Sequence, residues 1–379
     1  MTSRERLLTV LAGKIPDCVP VAPDFSNMIP ARLTGKPFWD LYLYNDPPIW
    51  EAYIRCAKHF DIESLMDGFF WLAFPDEPQQ DPTYERFIVF RNAERIVVQG
   101  SHKENGRRVW EPTVAVYYVA NPPTRRVPCE KLGLPPIPKR FEPLEGVKPV
   151  DNGPAGLKRV MEMMGDQGVV GVSCGAGTLA LDYAEGVFDY YDNPKKYEHF
   201  AEERVQRVER RMANILALEK RPDFIAVGGS GSLVYQTPEI LRKLALPAVK
   251  RACEICYKAG IPTHVHSCGR EKELVKIMAE ETHLTVIDPL EAPPMGDCDL
   301  AEIKRLYGKR LVLKGNLHTT DVMLRGTPET VARASRKAID DAAEGGGFIL
   351  STGDQCGRDT PDENLRAMIE TARTYGKYR

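Results

Sequence analysis

The run Thr263-His264-Val265-His266-Ser267-Cys268-Gly269-Arg270 places an imidazole and a thiol two positions apart, at the end of a short β-branched stretch. Residues two apart on an extended strand point to the same face. His266 and Cys268 therefore supply half of a metal site, and the rest must come from elsewhere. Cys356 is the best candidate, because its loop Ser351-Thr352-Gly353-Asp354-Gln355-Cys356-Gly357 also follows a strand-like run, Gly347-Phe348-Ile349-Leu350. One imidazole and two thiolates suit zinc and leave a fourth position, which is a catalytic rather than a closed structural pattern. A carboxylate could fill that position. Asp288 and Glu291 follow the next strand-like run, and Asp354 lies two residues before Cys356. The competing reading is a core histidine, buried thiols and carboxylates that bond loop amides.

These residues need elements to position them. From about residue 155 the chain alternates helical and strand-like runs to its end. The strand-like runs are Gly168–Val172, Phe224–Val227, Pro262–His266, Leu284–Ile287, Leu311–Leu313 and Phe348–Leu350. Two more precede them, one over Val19–Phe25 and one over Ser64–Phe70, separated by a helical pattern near 48–60. Eight strands alternating with helices predict an α/β fold of the (β/α)8 TIM-barrel class, with a doubly wound sheet as the alternative. Residues 3–13 read as an amphipathic helix before the first strand. Thr237-Pro238, Thr327-Pro328 and Thr360-Pro361 each place a capping Thr before Pro, and Thr360 with Glu363 fits a capping box. Residues 83–128 break the alternation. Short β patterns and an Asn105-Gly106 turn signal predict an antiparallel β insertion in a chain that is otherwise one domain over 1–379.

In a barrel the residues just past the strands converge on one face, where active sites form. Those positions hold Asp24 and Asn27, Asp67, Cys174, Ser230 and Ser232, His266 and Cys268, Asp288 and Glu291, Asn316 and His318, and Asp354 and Cys356. Asp24, Asp288 and His318 are the candidate catalytic groups. Asn27, Cys174, Ser230 and Asn316 are the candidate substrate contacts. Metal falls to His266, Cys268 and Cys356, with Glu291 as the added carboxylate. Ordinary turn chemistry at Asp24 and Asn27, a structural thiol at Cys174 and an exposed loop histidine at His318 are the alternatives. His264 shares a face with His266 and reads as a bystander lower in the barrel.

Composition narrows the partners. The 379 residues are 43% hydrophobic and 27% charged with net charge −2, so no basic surplus calls for nucleic acid or an anionic membrane. No apolar run is long enough for a membrane span, and no signal-type segment follows Met1, so the expectation is a soluble cytoplasmic protein. The 9 cysteines are irregularly spaced and read as reduced, with Cys253 and Cys256 packed inside a helix rather than redox-active. Gly228-Gly229-Ser230-Gly231-Ser232 lacks the spacing of a dinucleotide fingerprint.

Taken together the motifs resemble the uroporphyrinogen decarboxylase superfamily. They are Arg4-Glu5-Arg6-Leu7-Leu8, Pro16-Asp17-Cys18-Val19-Pro20, Gly177-Thr178-Leu179-Ala180, Glu185-Gly186, His266-Ser267-Cys268-Gly269, Gly296-Asp297-Cys298-Asp299-Leu300, Gly315-Asn316 and Thr360-Pro361-Asp362-Glu363-Asn364-Leu365. The resemblance implies a (β/α)8 barrel and one of two chemistries. Tetrapyrrole decarboxylases of the superfamily carry an arginine-containing N-terminal loop. Here that region reads Val21-Ala22-Pro23-Asp24-Phe25-Ser26-Asn27-Met28, with no arginine before Arg32. Corrinoid-dependent methyltransferases of the superfamily use a zinc site of His-x-Cys and a distant Cys, which His266, Cys268 and Cys356 match. The resemblance thus implies a zinc-dependent methyltransferase. It would move a methyl group between a small ether, amine or thiol substrate and the cobalt of a corrinoid (cobalamin) carried by a partner protein. The chain has no DxHxxG corrinoid motif of its own. A decarboxylase and a non-catalytic corrinoid- or tetrapyrrole-binding protein are the alternatives.

Overall fold

A computed structural model describes residues 1–79, 81–181, 183–234 and 236–378, without the side chains of 183–185. Glu185, one of the motif residues above, thus lies outside the described side chains.

Seven parallel strands follow one another in chain order: Ser64–Met66, Gly168–Ser173, Phe224–Ala226, Thr263–His266, Val286–Asp288, Val312–Leu317 and Phe348–Thr352. The sheet curls, and residues 20–22 fill the eighth position. Val21 bridges Leu350 in parallel, the Ala22 amide donates to the Leu350 carbonyl at 2.9 Å, and the Glu63 amide donates to the Val21 carbonyl at 3.1 Å. The expected strand over Val19–Phe25 is reduced to this single bridge. Pro20 and Pro23 have no amide hydrogen, so a ladder cannot extend in either direction.

The helix Ser3–Leu11 closes the floor of the barrel. A capping box between Thr2 and Glu5 starts it, and Leu7, Val10 and Leu11 pack against Leu65, Val169, Phe224, Val286, Val312 and Ile349 from the strand starts. Arg4 donates to Asp223 and to the Gly168 carbonyl, and Arg6 donates to Asp17 and to buried Glu63. The Arg4-Glu5-Arg6-Leu7-Leu8 motif is therefore scaffold, on the face opposite the strand ends. Strand spacing near this floor tolerates no side chain at Gly168, where a Cβ would overlap the Ser64 carbonyl. Gly168→Ala is expected to cost about 1–3 kcal/mol by overpacking, read as a lowered denaturation midpoint.

The insertion is an antiparallel sheet in the order Thr124–Pro128, Arg107–Tyr118, Arg95–Glu104, Glu85–Arg91, Glu142–Pro143. Asn105 and Gly106 both take positive φ, as a two-residue hairpin requires. The sheet reaches past residue 128, because the proline-rich return pairs Pro143 with Phe87. Arg107–Tyr118 is one strand rather than two, with Pro112 absorbed where the pairing register shifts opposite Gly100. Phe87, Trp110 and Phe141 cluster on it under the Arg108 guanidinium.

Thr237 and Thr327 cap their helices through their side-chain oxygens. The capping box at Thr360 does not form. The last helix runs Asp362–Tyr375 with Pro361 at its N-cap, and the Thr360 side chain is buried instead. Cys253 and Cys256 are fully buried on the helix Leu246–Ala259, as core packing requires. Among the described residues, no helix is long and apolar enough to cross a membrane.

Candidate metal centre and cavity at the strand ends

His266 ends the strand Thr263–His266, whose alternation sends His264 and His266 to the barrel interior. Both meet Asp288, the last residue of the neighbouring strand, paired in register with His266. Asp288 Oδ1 lies 2.9 Å from His264 Nε2 and 3.2 Å from His266 Nδ1, and Lys314 Nζ donates to Asp288 Oδ2. The second ring nitrogen of His264 lies 2.9 Å from Asp67 Oδ2. A buried chain of charge thus runs Asp67–His264–Asp288–Lys314, with His266 as a branch. Burial pushes the Asp288 carboxyl up, but the charges of Lys314, His264 and His266 outweigh it and hold the group well below the usual carboxylate range. Burial likewise opposes the charge on Lys314, and Asp288 and Asp24 overcome it.

Because Asp288 occupies Nδ1, His266 presents Nε2 outward. That atom is buried without a hydrogen-bond partner, and Asp354 Oδ1 stands 3.5 Å away, at the edge of bonding range. His266, Cys268 and Asp354 place their ligand atoms within 4.8 Å of one another. An orphaned imidazole nitrogen, a thiol and a carboxylate in that space fit a zinc-type ion. A carboxylate on the far ring nitrogen is also the usual support for a metal-bound histidine.

Cys356 stands apart from this group. It is fully buried, its amide donates to the Asp24 carbonyl at 2.8 Å, and its carbonyl accepts from Ser26 Oγ at 3.2 Å. Burial pushes its thiol up to about 12, against the hydroxyls of Thr352 and Thr360. Asp354 takes a φ of 106°, which breaks the extended alternation and turns Asp354 and Cys356 to different surroundings. Such backbone outliers in non-glycine residues gather at functional sites. Glu291 lies close by but is committed to the Gly269 amide.

Beside the group opens a cavity of about 430 Å³, lined by Asp24, Asn27, Tyr53, Asp67, Phe69, Phe70, Trp71, Ser230, His264, His266, Asp288 and Lys314 among others. Asp24, Asn27, Ser230 and Asp288 thus share one wall system, as their strand-end positions predict. Cys174 does not reach it. Its thiol is buried 3.6 Å from the Ala226 carbonyl. Asn316 and His318 line a separate small recess with Glu291 and Met295. Asn316 donates to the Leu290 carbonyl, and His318 Nδ1 accepts from the amides of Thr320 and Asp321, so it caps a helical turn. That arrangement gives His318 Nδ1 a structural task and leaves Nε2 buried without a hydrogen-bond partner.

Two residues absent from the sequence-based candidates matter here. His264 is a hub of the charge network, not a bystander. Lys314 is 6% exposed, inside the Val312–Leu317 strand. A lysine directly following the apolar run Leu311-Val312-Leu313 was the available signal, since lysine is almost never buried unless paired.

Behind the metal group lies Glu271, 0% exposed, whose one oxygen accepts from the Leu290 amide at 2.7 Å while Oε1 has no partner. Burial, reinforced by Asp288, raises its pKa well above the ordinary 4.5. A raised folded-state pKa gives stability that is full below the unfolded pKa and lost as pH rises through the folded one. Glu271→Gln is therefore expected to gain on the parent as pH rises from about 5 to about 8, with the gap in melting temperature widening toward the higher pH. A constant gap would show that Glu271 keeps one protonation state in both folded and unfolded chains.

Residues 193–375 match the uroporphyrinogen decarboxylase (URO-D) family. The methylcobamide:CoM methyltransferase MtbA of Methanosarcina mazei is 30% identical over 139 residues, 36% of this chain and 37% of that protein. MtbA of Methanosarcina acetivorans is 29% identical over 137 residues, again 36% and 37%. The matched stretch thus spans little more than a third of the length of these curated relatives. A solved structure, a methyltransferase from Methanosarcina mazei, superposes with a TM-score of 0.56 over 99% of both chains at 18% identity, which establishes a shared fold.

Proposed function

For a chain that carries a uroporphyrinogen decarboxylase family domain over residues 193–375, we propose the role of a zinc-dependent methyltransferase working with a corrinoid protein. It would move a methyl group between a small substrate and the cobalt of that partner. The observation that carries this reading is the convergence of the orphaned His266 Nε2, the Cys268 thiol and the Asp354 carboxylate beside a cavity at the strand ends. The partial likeness to methylcobamide:CoM methyltransferases points the same way.

His266, Cys268 and Asp354 would hold the zinc, with Cys356 two residues further along the Asp354 loop. Bound there, zinc supplies Lewis acidity, which keeps a thiol substrate as thiolate or polarises the heteroatom of a methyl donor. The protein's own part is positional. Asp288, anchored by Lys314 and His264, fixes the ring of His266 with Nε2 outward. Asp24, Asn27 and Ser230 would face the bound substrate from the cavity lining. Trp71, on the cavity lining, is 70% exposed and offers an apolar ring to a flat macrocycle presented by a partner. A decarboxylase of many-carboxylate tetrapyrroles is less well supported, because no arginine lines the cavity among the described residues.

The test is zinc content of the purified protein together with methyl transfer to or from free cobalamin. Near-stoichiometric zinc and metal-dependent transfer are expected. Full activity in metal-free protein would overturn the reading.

A further inference from the structure

The cavity walls state what charge the substrate carries. Among the described residues, the cations facing the cavity are engaged except at His266 Nε2, which points to the proposed metal group. Lys314 is paired with Asp288, both ring nitrogens of His264 are bonded to carboxylates, and His266 is bonded to Asp288 on one side and faces the Cys268–Asp354 group on the other. The carboxylates are not saturated. Asp67 uses only Oδ2, toward His264, and Asp24 uses only Oδ1, accepting from the Ser26 amide at 2.7 Å. One acceptor oxygen on each remains for a ligand.

The aromatic side chains lie on this same part of the lining. Tyr53 and Phe69 stack with ring centroids 4.3 Å apart, and Phe70 and Trp71 continue the wall. Aromatic faces next to free carboxylate oxygens attract ammonium groups, by the ring quadrupole and by direct Coulomb attraction. Away from the metal, a sulfonate or carboxylate would meet Asp24 and Asp67 with no free side-chain cation to receive it among the described residues.

We infer that the small substrate bears an ammonium group, seated on Asp24 and Asp67 against Tyr53 and Phe69, with its reacting end toward His266. This rests on the methyl-transfer reading above and narrows it. The ammonium could belong to a methylated amine acting as donor or to an amino thiol acting as acceptor. Either would be a substrate other than the CoM that the relatives' names specify.

The experiment measures equilibrium binding to the full chain, with its metal and without corrinoid. The probes are tetramethylammonium, 2-aminoethanethiol, 2-sulfanylethanesulfonate and methoxybenzene. At least one cationic probe is expected to bind about tenfold or more tighter than both the sulfonate and the neutral ether. Preference for tetramethylammonium identifies the donor form, and preference for 2-aminoethanethiol the acceptor form. The sulfonate controls for thiol affinity toward metal. Asp67→Asn and Asp24→Asn are each expected to weaken the cation by about tenfold while leaving the melting curve cooperative. Equal or tighter binding of the sulfonate or ether, or unchanged cation binding in both variants, overturns the inference. Methyl transfer that favours an anionic or neutral substrate defeats this inference alone. Tight cation binding without any zinc or methyl transfer defeats the methyltransferase reading and leaves the ammonium site standing.

Discussion

Cys268→Ser is expected to lower bound zinc from near one equivalent to a small fraction and to reduce methyl transfer to cobalamin by more than about 100-fold. The Cys268 sulfur is one of three ligand atoms that converge within 4.8 Å, and a hydroxyl is a poor replacement for it. The fold should survive, because Cys268 is only partly buried in a loop. Elemental analysis and a transfer assay on the same preparation read both effects. Two companion variants assign the third ligand. With Asp354 in that place, Asp354→Asn loses zinc as well, and Cys356→Ser retains it. Loss in Cys356→Ser with retention in Asp354→Asn would show that the loop exchanges these side chains when metal binds. Retention of full zinc in Cys268→Ser would refute the site altogether.

The largest effect on stability is expected at Lys314. Its ammonium and the Asp288 carboxylate are 7% and 1% exposed. Removing one partner of a buried pair strands the other charge, at a cost of roughly 3–5 kcal/mol. Lys314→Met should therefore shift the denaturation midpoint strongly. The histidines that also contact Asp288 place the effect toward the lower end of that range. The double variant Lys314→Met with Asp288→Asn should recover part of the loss, because the uncompensated charge goes with the second change. Zinc affinity should fall about 10–100-fold in Lys314→Met, since Asp288 no longer has a fixed position from which to orient His266. A stability change below about 1 kcal/mol would mean that the pair is solvated in the native protein.

Periodicity and proline placement made the barrel readable. Alternating helix and strand patterns marked seven strands within a few residues of their true ends. The eighth was recognised in place but not in form, because Pro20 and Pro23 limit it to one bridge. The β insertion was visible from its Asn105-Gly106 turn. Its full extent was not, since the pairing of Pro143 with Phe87 joins residues distant in sequence. In the site, the close spacing of His266 and Cys268 pointed to a candidate metal group, although the strand ends at His266 and Cys268 sits in the loop that follows.

By itself, then, the sequence determined the order of the elements, the strand-end positions of the polar residues and the His266–Cys268 pair. Each follows from interactions among residues near in the chain. Tertiary structure alone decided which distant groups meet that pair. The φ of Asp354 turns its carboxylate toward His266, while Cys356 packs beneath the Asp24–Ser26 segment. It also decided the fate of Lys314 and His264, whose charges are stable only because Asp288 lies between them. Burial and electrostatic pairing depend on three-dimensional neighbours, and no spacing along the chain encodes them.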